Sequence, residues 1–183
     1  LCDWSSDVCS SDLTYPVPVS GVRAPAAKPA GQVVRLAFSP DGSLLATGTT
    51  GGTVEIHRTI TPGTVSSIPA EDGPVRILAI PAGNTHLVTG TGDTTIRCFR
   101  LDDNSLVWTR EHKQPVTAVL PDADGKRLLI GDETGHLFIL SLEDGRAVIS
   151  LHLHPSPVTC IDRAGPVTAC GHADGTVAIL NAE

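Results

Sequence analysis

Aromatic residues are nearly missing from this chain, at 3% of its length. A core built without them must rest on Val, Leu, Ile and Ala. Basic residues are outnumbered: 13 Lys and Arg stand against 20 Asp and Glu, for a formal charge of −7. A nucleic-acid partner needs a basic footprint, so this balance argues against one. No run approaches the ~18 apolar residues of a membrane-spanning helix, and no membrane partner is expected. Chemistry-bearing constellations are lacking too. There is no Ser–His–Asp order, phosphate loop or carboxylate pair in a supporting context. The Gly-rich stretch from Gly48 to Gly52 joins two strands and opens no helix. The expectation is therefore a protein that is no enzyme, with no cofactor and no metal.

What is there is a repeat. The chain carries 40% apolar residues with 18 Gly and 14 Pro, which suits a turn-rich all-β globule. From Val34 to His57 an alternation at Val34, Leu36 and Phe38 runs into the turn Ser39-Pro40-Asp41-Gly42. A second run, Leu44 to Thr47, stops at Gly48, and a third alternation follows at Val54 and Ile56. Period-two runs bounded by Pro, Asp and Gly predict strands joined by tight turns. Val34, Val75, Val116 and Val158 open successive units, at gaps of 41, 41 and 42. Gly48, Gly90, Gly131 and Gly171 close their second strands. Val54, Ile96, Leu137 and Val177 mark their third. A period of ~40–45 with four short strands per unit predicts the blades of a β-propeller. The blades are placed at 31–70, 71–111, 112–153 and 154–183, and the last lacks its fourth strand.

The first thirteen residues, LCDWSSDVCSSDL, match no later unit. From Asp3 to Leu13 they resemble the conceptual translation of a sequencing adapter, so this segment is set aside. Asp3, Asp7 and Asp12 then drop out with no basic residue, which leaves a net charge of −4. Three cysteines remain, too few for a disulfide framework. Residues 14–30 carry four prolines and predict a linker, with one possible extended piece at Tyr15 to Val19 that could pair a sheet edge.

From Val34 onward the units resemble the tryptophan–aspartate (WD) repeat family. LAFSPDGSLLATG (Leu36 to Gly48) and VTGTGDTTIRCF (Val88 to Phe99) carry the likeness. Asp93 and Asp174 fall where the family has its turn Asp, and His112 and His154 where it often has a His. The resemblance implies a scaffold for protein–protein interaction, usually with seven blades, so that four would be a piece of a larger propeller. The units depart from the family where His57, Phe99, Leu140 and Leu180 replace its Trp. The buried His–Ser/Thr–Asp–Trp set is complete in none of them. Leu101-Asp102 followed by Ser105 to Trp108 also resembles a blade of quinoprotein-like dehydrogenases. That is the alternative reading, an enzyme fragment.

The resemblance places the loops entering each first strand, and those joining second to third strands, on one face of the disc. The candidate interaction residues there are Arg35, Arg76, Glu71, Lys113, Glu133 and His172, facing a protein partner of unknown identity. Arg35 and Arg76 share one repeat position and could anchor a carboxylate-bearing partner. Asp93 and Asp174 are assigned a structural task in turns, capping local backbone N–H groups. His152 and His154 are expected as surface or loop histidines without a convergent third metal ligand. Cys160 and Cys170 lie on adjacent strands and are expected as buried reduced thiols, with a disulfide possible by proximity.

Overall fold

The computed structural model describes residues 31–60, 64–69, 73–91 and 94–181. Residues 1–30, with the possible strand at Tyr15 to Val19, lie outside the described residues, as do Glu71 and Asp93. Among the described residues there are fifteen strands and no helix. Blade 1 comprises β1 (Val33–Phe38), β2 (Leu44–Thr49), β3 (Thr53–Arg58) and β4 (Thr64–Pro69). Blade 2 comprises β5 (Ile77–Ala79), β6 (His86–Gly90), β7 (Thr95–Arg100) and β8 (Leu106–Glu111). Blade 3 comprises β9 (Val116–Pro121), β10 (Arg127–Asp132), β11 (His136–Ser141) and β12 (Ala147–His152). Blade 4 has three strands among the described residues: β13 (Val158–Ala164), β14 (Val167–His172) and β15 (Val177–Asn181). Each blade is an antiparallel meander with its strands in chain order.

The turns are set by aspartates. The backbone N–H of Ser43 donates to Asp41 Oδ1 at 3.0 Å, and those of Ser105, Lys126, Arg146 and Thr176 donate to Asp103, Asp124, Asp144 and Asp174. In every case the donor lies two residues after the acid, the local pattern that competes with continued strand. These bonds favour the charged carboxylate. Asp41, bonded first by the Ser39 hydroxyl, lies far below the usual carboxylate range. The Thr176 hydroxyl and N–H lower Asp174 in the same way.

The hydrophobic layers lie between blades. Ala46, Val54 and Ile56 of blade 1 pack with Val75, Leu78 and Ile80 of blade 2. Ile96 and Cys98 of blade 2 pack with Leu128, Ile130 and Leu140 of blade 3. Leu129 and Leu137 of blade 3 pack with Val158 and Cys170 of blade 4. Inner strands follow the same order, β1 on β5, β5 on β9 and β9 on β13. At ~1.5–3 kcal/mol for each fully buried aliphatic side chain, these layers are the main stabilising feature of the fold.

Two joints share one device. A Cβ added to Gly48 would lie 2.7 Å from Val75, and one added to Gly131 would lie 2.5 Å from Val158. The opening valine of one blade thus sits against the bare glycine that closes the second strand of the blade before it. A different clamp joins blades 2 and 3. The Trp108 indole N–H donates to the Leu142 carbonyl at 2.7 Å. Its ring lies against Gly145, whose φ of +69° and lack of Cβ both suit the position. Trp108, the residue behind the dehydrogenase-like alternative, fastens one blade to the next.

The register corrects the first anchor. Val33 pairs with Thr49, as Val116 pairs with Asp132 and Val158 with His172. A bulge lies between Val33 and Arg35, and others follow Val116 and Val158. Val33 is therefore the opening valine of blade 1, and Val34 is the extra residue of its bulge. Arg35 pairs with Gly48, as Ile77 pairs with Gly90. Arg35 and Arg76 do not share a structural position, because two adjacent valines hide the bulge from a count of residues.

Candidate interaction face

Residues before the first strands and residues between second and third strands meet on one side of the disc. Glu133 N–H donates to the Pro115 carbonyl at 3.0 Å, Ala173 N–H to Pro157 at 2.9 Å and Thr50 N–H to Gln32 at 2.8 Å. These bonds tie the two kinds of loop together in blades 1, 3 and 4. Lys113 and Glu133 are exposed on this rim. Arg76 is exposed too, and its guanidinium bonds no described residue. Arg35 is occupied: its Nε donates to the Arg76 carbonyl at 2.8 Å and bridges blades 1 and 2. His172 is only 5% exposed, with Nδ1 2.9 Å from the Ser156 carbonyl, so its ring is turned inward beneath the loops.

Under the rim of blade 3 lies a buried His–Asp pair. His112 Nε2 is 3.2 Å from Asp132 Oδ2, and the two side chains are 4% and 2% exposed. The other carboxylate oxygen accepts from Thr134 N–H at 2.9 Å, from the Thr134 hydroxyl at 2.8 Å and from His136 N–H at 3.0 Å. Burial by itself would raise the Asp132 carboxyl. The bonds from His136 N–H, Thr134 and His112 outweigh it and hold the group below its usual range. His112 meets the Phe138 ring edge-on at 4.5 Å between centroids, which fixes the imidazole from a second side.

Sequence reasoning placed His112 but missed Asp132, which lies two residues before the position of the family's turn Asp. The signal was there: Asp132 directly follows Gly131 at the end of an apolar strand, where an unpaired acid would be costly. Blade 4 keeps the expected pairing in a looser form. His154 Nδ1 and Asp174 Oδ2 are 3.5 Å apart and about a third to two-fifths exposed. In blade 2 the Thr89 hydroxyl is buried without a hydrogen-bond partner among the described residues.

A groove of about 540 Å³ opens beside the buried pair, lined in part by Arg110, Glu111, Lys113, Thr134 and His136. The His136 ring, which lines the groove, stands 4.5 Å from the His152 ring. Among the described residues no three His, Cys, Asp or Glu side chains converge as metal ligands. Cys98, Cys160 and Cys170 are free thiols. Cys160 pairs across with Gly171, and Cys170 with Ile161, so the two thiols point to opposite faces of the sheet. Cys160 is exposed, against the expectation of burial, because no described blade covers its face.

Family models match two stretches. Residues 26–58 match the WD domain, G-beta repeat, and residues 85–164 match the WD40 domain of anaphase-promoting complex subunit 4. The chain belongs to the WD-repeat family. Among curated relatives, WD repeat-containing protein SL1-17 of Schistosoma mansoni is 32% identical over 114 residues, 62% of this chain and 38% of that protein. The Periodic tryptophan protein 2 homolog of Dictyostelium discoideum is 28% identical over 153 residues, 80% of this chain and 17% of that protein. The WD-repeat chain thus spans well under half the length of either relative. Its fold also matches the crystal structure of the computationally designed Ika4 protein, with a TM-score of 0.73, at 18% identity. The match covers 89% of this chain and 99% of that one.

In the WD-repeat setting the pairs described above have a common sense. The His112–Asp132 pair in blade 3 and the His154–Asp174 pair in blade 4 fasten the loop before a first strand to the turn after a second. Asp132 does this from a displaced position, which is why blade 3 looked degenerate when matched residue by residue.

Proposed function

We propose that this WD-repeat propeller is a non-catalytic scaffold that binds a protein partner on the rim formed by Arg76, Lys113 and Glu133. The reading rests on one observation. Exposed, unlike charges stand on loops that are held from below by the buried His112–Asp132 pair. A rigid base under a variable polar rim is how a scaffold offers contacts without reordering itself, which keeps the entropic cost of binding low. The groove beside Lys113 gives that rim a concave part large enough for a side chain or a short peptide segment. Glu71 is proposed as a further member of the same rim. Arg35 is assigned a different task, holding blades 1 and 2 in register, and His172 supports the loops from inside.

The test is a triple variant, Arg76→Ala, Lys113→Ala and Glu133→Ala. Quantitative affinity capture from the source organism compares it with wild type. Partner recovery should fall at least tenfold while circular dichroism and melting stay unchanged. Equal recovery by both proteins removes this rim from the interface.

A further inference from the structure

Most described guanidinium groups of this chain have their charge answered. Arg100, Arg127, Arg146 and Arg163 each have a carboxylate oxygen within 4.0 Å. Arg35, Arg58 and Arg76 are exposed, where water solvates the charge. Arg110 fits neither group. It is half-buried, and no carboxylate among the described residues pairs with it. Its Nη1 donates to the Gly145 carbonyl at 2.9 Å. Its Nε is sealed from solvent and has no acceptor among the described residues.

The place of this group is fixed by the strand that carries it. Trp108 and Arg110 are two residues apart on β8, so both side chains leave the same face, toward blade 3. Trp108 bonds the Leu142 carbonyl and lies on Gly145, and Arg110 reaches the carbonyl of that same glycine. Neither blade is at an end of the described array, so a neighbour stands on both sides of this joint. The guanidinium is held by its Gly145 bond, and a held fork loses little freedom when an acceptor arrives. A charge taken partly out of water without an opposite charge is costly, and a buried donor left unpaired calls for an acceptor.

Arg110 lines the groove of about 540 Å³ together with Lys113, whose exposed ammonium also bonds no described residue. Two acids border the same groove, and neither answers these cations. Asp132 is taken up: one oxygen faces His112 and the other accepts from the Thr134 N–H, the Thr134 hydroxyl and the His136 N–H. Glu111 is exposed and pairs with neither Arg110 nor Lys113. The groove thus holds two unanswered positive charges on a chain whose net charge is −7.

We propose that the groove between blades 2 and 3 receives an Asp or Glu side chain from an acidic segment of the protein partner, with Arg110 as its anchor and Lys113 as a second, looser contact. This deepens the rim reading above and rests on it. The planar guanidinium offers parallel N–H donors that match a carboxylate, and charge-assisted bonds of this kind are the strong ones. The ammonium of Lys113 adds a point charge from the rim. A carboxylate, with its single charge, suits a groove that Glu111 also borders better than a phosphate carrying nearly two.

The test is a titration of the nitrogen-15-labelled chain, read by the arginine Nε–Hε signals in two-dimensional NMR. The Arg110 signal is the one missing from Arg110→Lys. The probes are acetyl-Gly-Glu-Gly-amide, its Gln analogue and its phosphoserine analogue. The Glu peptide should move the Arg110 signal with an affinity in the millimolar range, as one charged contact allows, and the Gln peptide should not move it through ~10 mM. Arg110→Gln should weaken Glu-peptide binding, followed on the backbone signals around the groove, by about tenfold, the size of a lost charged hydrogen bond. Lys113→Gln, at an exposed site that leaves the fold intact, should weaken it by about two- to fivefold. Equal shifts from the Glu and Gln peptides, or none from either, would overturn the proposal, as would unchanged affinity in Arg110→Gln. Tighter binding of the phosphoserine peptide would overturn it in favour of a phosphate. The rim reading fails separately, by equal partner recovery with the triple variant, so the two failures are told apart.

Discussion

Replacing Asp132 by Ala tests how much of blade 3 hangs on one displaced carboxylate. The change removes the acceptor for His112 and for the N–H groups of Thr134 and His136. Deleting one partner of a buried hydrogen bond costs about 1–3 kcal/mol, since the other member stays buried and unsatisfied. Thr134 and His136 are only half-buried, so water can reach the freed N–H groups and the cost should stay within that range. In a domain of this size each kcal/mol moves Tm by about 2–4 °C, which gives a drop of about 2–12 °C. Asp174→Ala is the control. It removes a similar turn acid whose side chain is 42% exposed and whose partner His154 is 33% exposed. Such exposed pairs contribute little, because water screens them. The pH dependence has a definite sign. The folded Asp132 carboxyl lies below its ordinary value of ~3.9. Its contribution is complete above that value and is lost as pH falls through the lower, folded one. Wild type should therefore lose more stability than Asp132→Ala on acidification below about pH 4. Calorimetry or thermal circular dichroism reads both effects. A variant that melts within 2 °C of wild type, or a control that falls as far, would refute the argument.

Three further outcomes follow from the joints and thiols. Gly131→Ala should destabilise by about 1–3 kcal/mol through overpacking on Val158, and Val158→Ala in the same chain should recover part of that loss in denaturant melts. Gly145→Ala puts a Cβ against the Trp108 ring at a positive φ, so it should lower Tm and shift native tryptophan fluorescence. An unchanged emission maximum would count against the clamp. Peptide-mapped alkylation of the native chain should modify Cys160 well before Cys98 and Cys170. Burial pushes the Cys98 thiol up to about 12, and burial with the neighbouring Cys160 raises Cys170. Equal rates at Cys98 and Cys160 would contradict the packing.

Much of the fold was legible because strand and turn signals are local. Asp-Gly and Pro-Asp-Gly turns between alternating runs predicted the meanders, and three anchors with one period predicted the blades. The first anchor slipped by one residue for a physical reason. A bulge adds a residue without altering composition, and Val33 and Val34 offer the same apolar side chain to a reader of sequence. The exposure of Cys160 was illegible for another reason. Burial on a terminal face depends on whether a neighbour exists, and no residue of blade 4 encodes that. The candidate rim was legible only as a set of loops. That Arg35 bridges two blades while the Arg76 guanidinium bonds no described residue required the register, since both follow a valine in the chain. His172 looked like a loop residue, yet it fills the place that Asp132 holds in blade 3 and turns inward.

The valine-on-glycine joint asks little of the sequence. It specifies one small residue at the end of a second strand and one branched residue at the start of the next unit. Everything between those two marks can change its chemistry so long as it stays a meander. A gene that lengthens by copying such a unit inherits a working boundary at each end. The copies can then drift apart, lose the Trp, move an Asp by two positions or trade a Ser for a Cys, while the boundary still fits. At Gly48 and Gly131 the joint holds although the repeats around it differ in sequence. Shuffling experiments that exchange whole blades at the valine should be tolerated far better than cuts made within a strand.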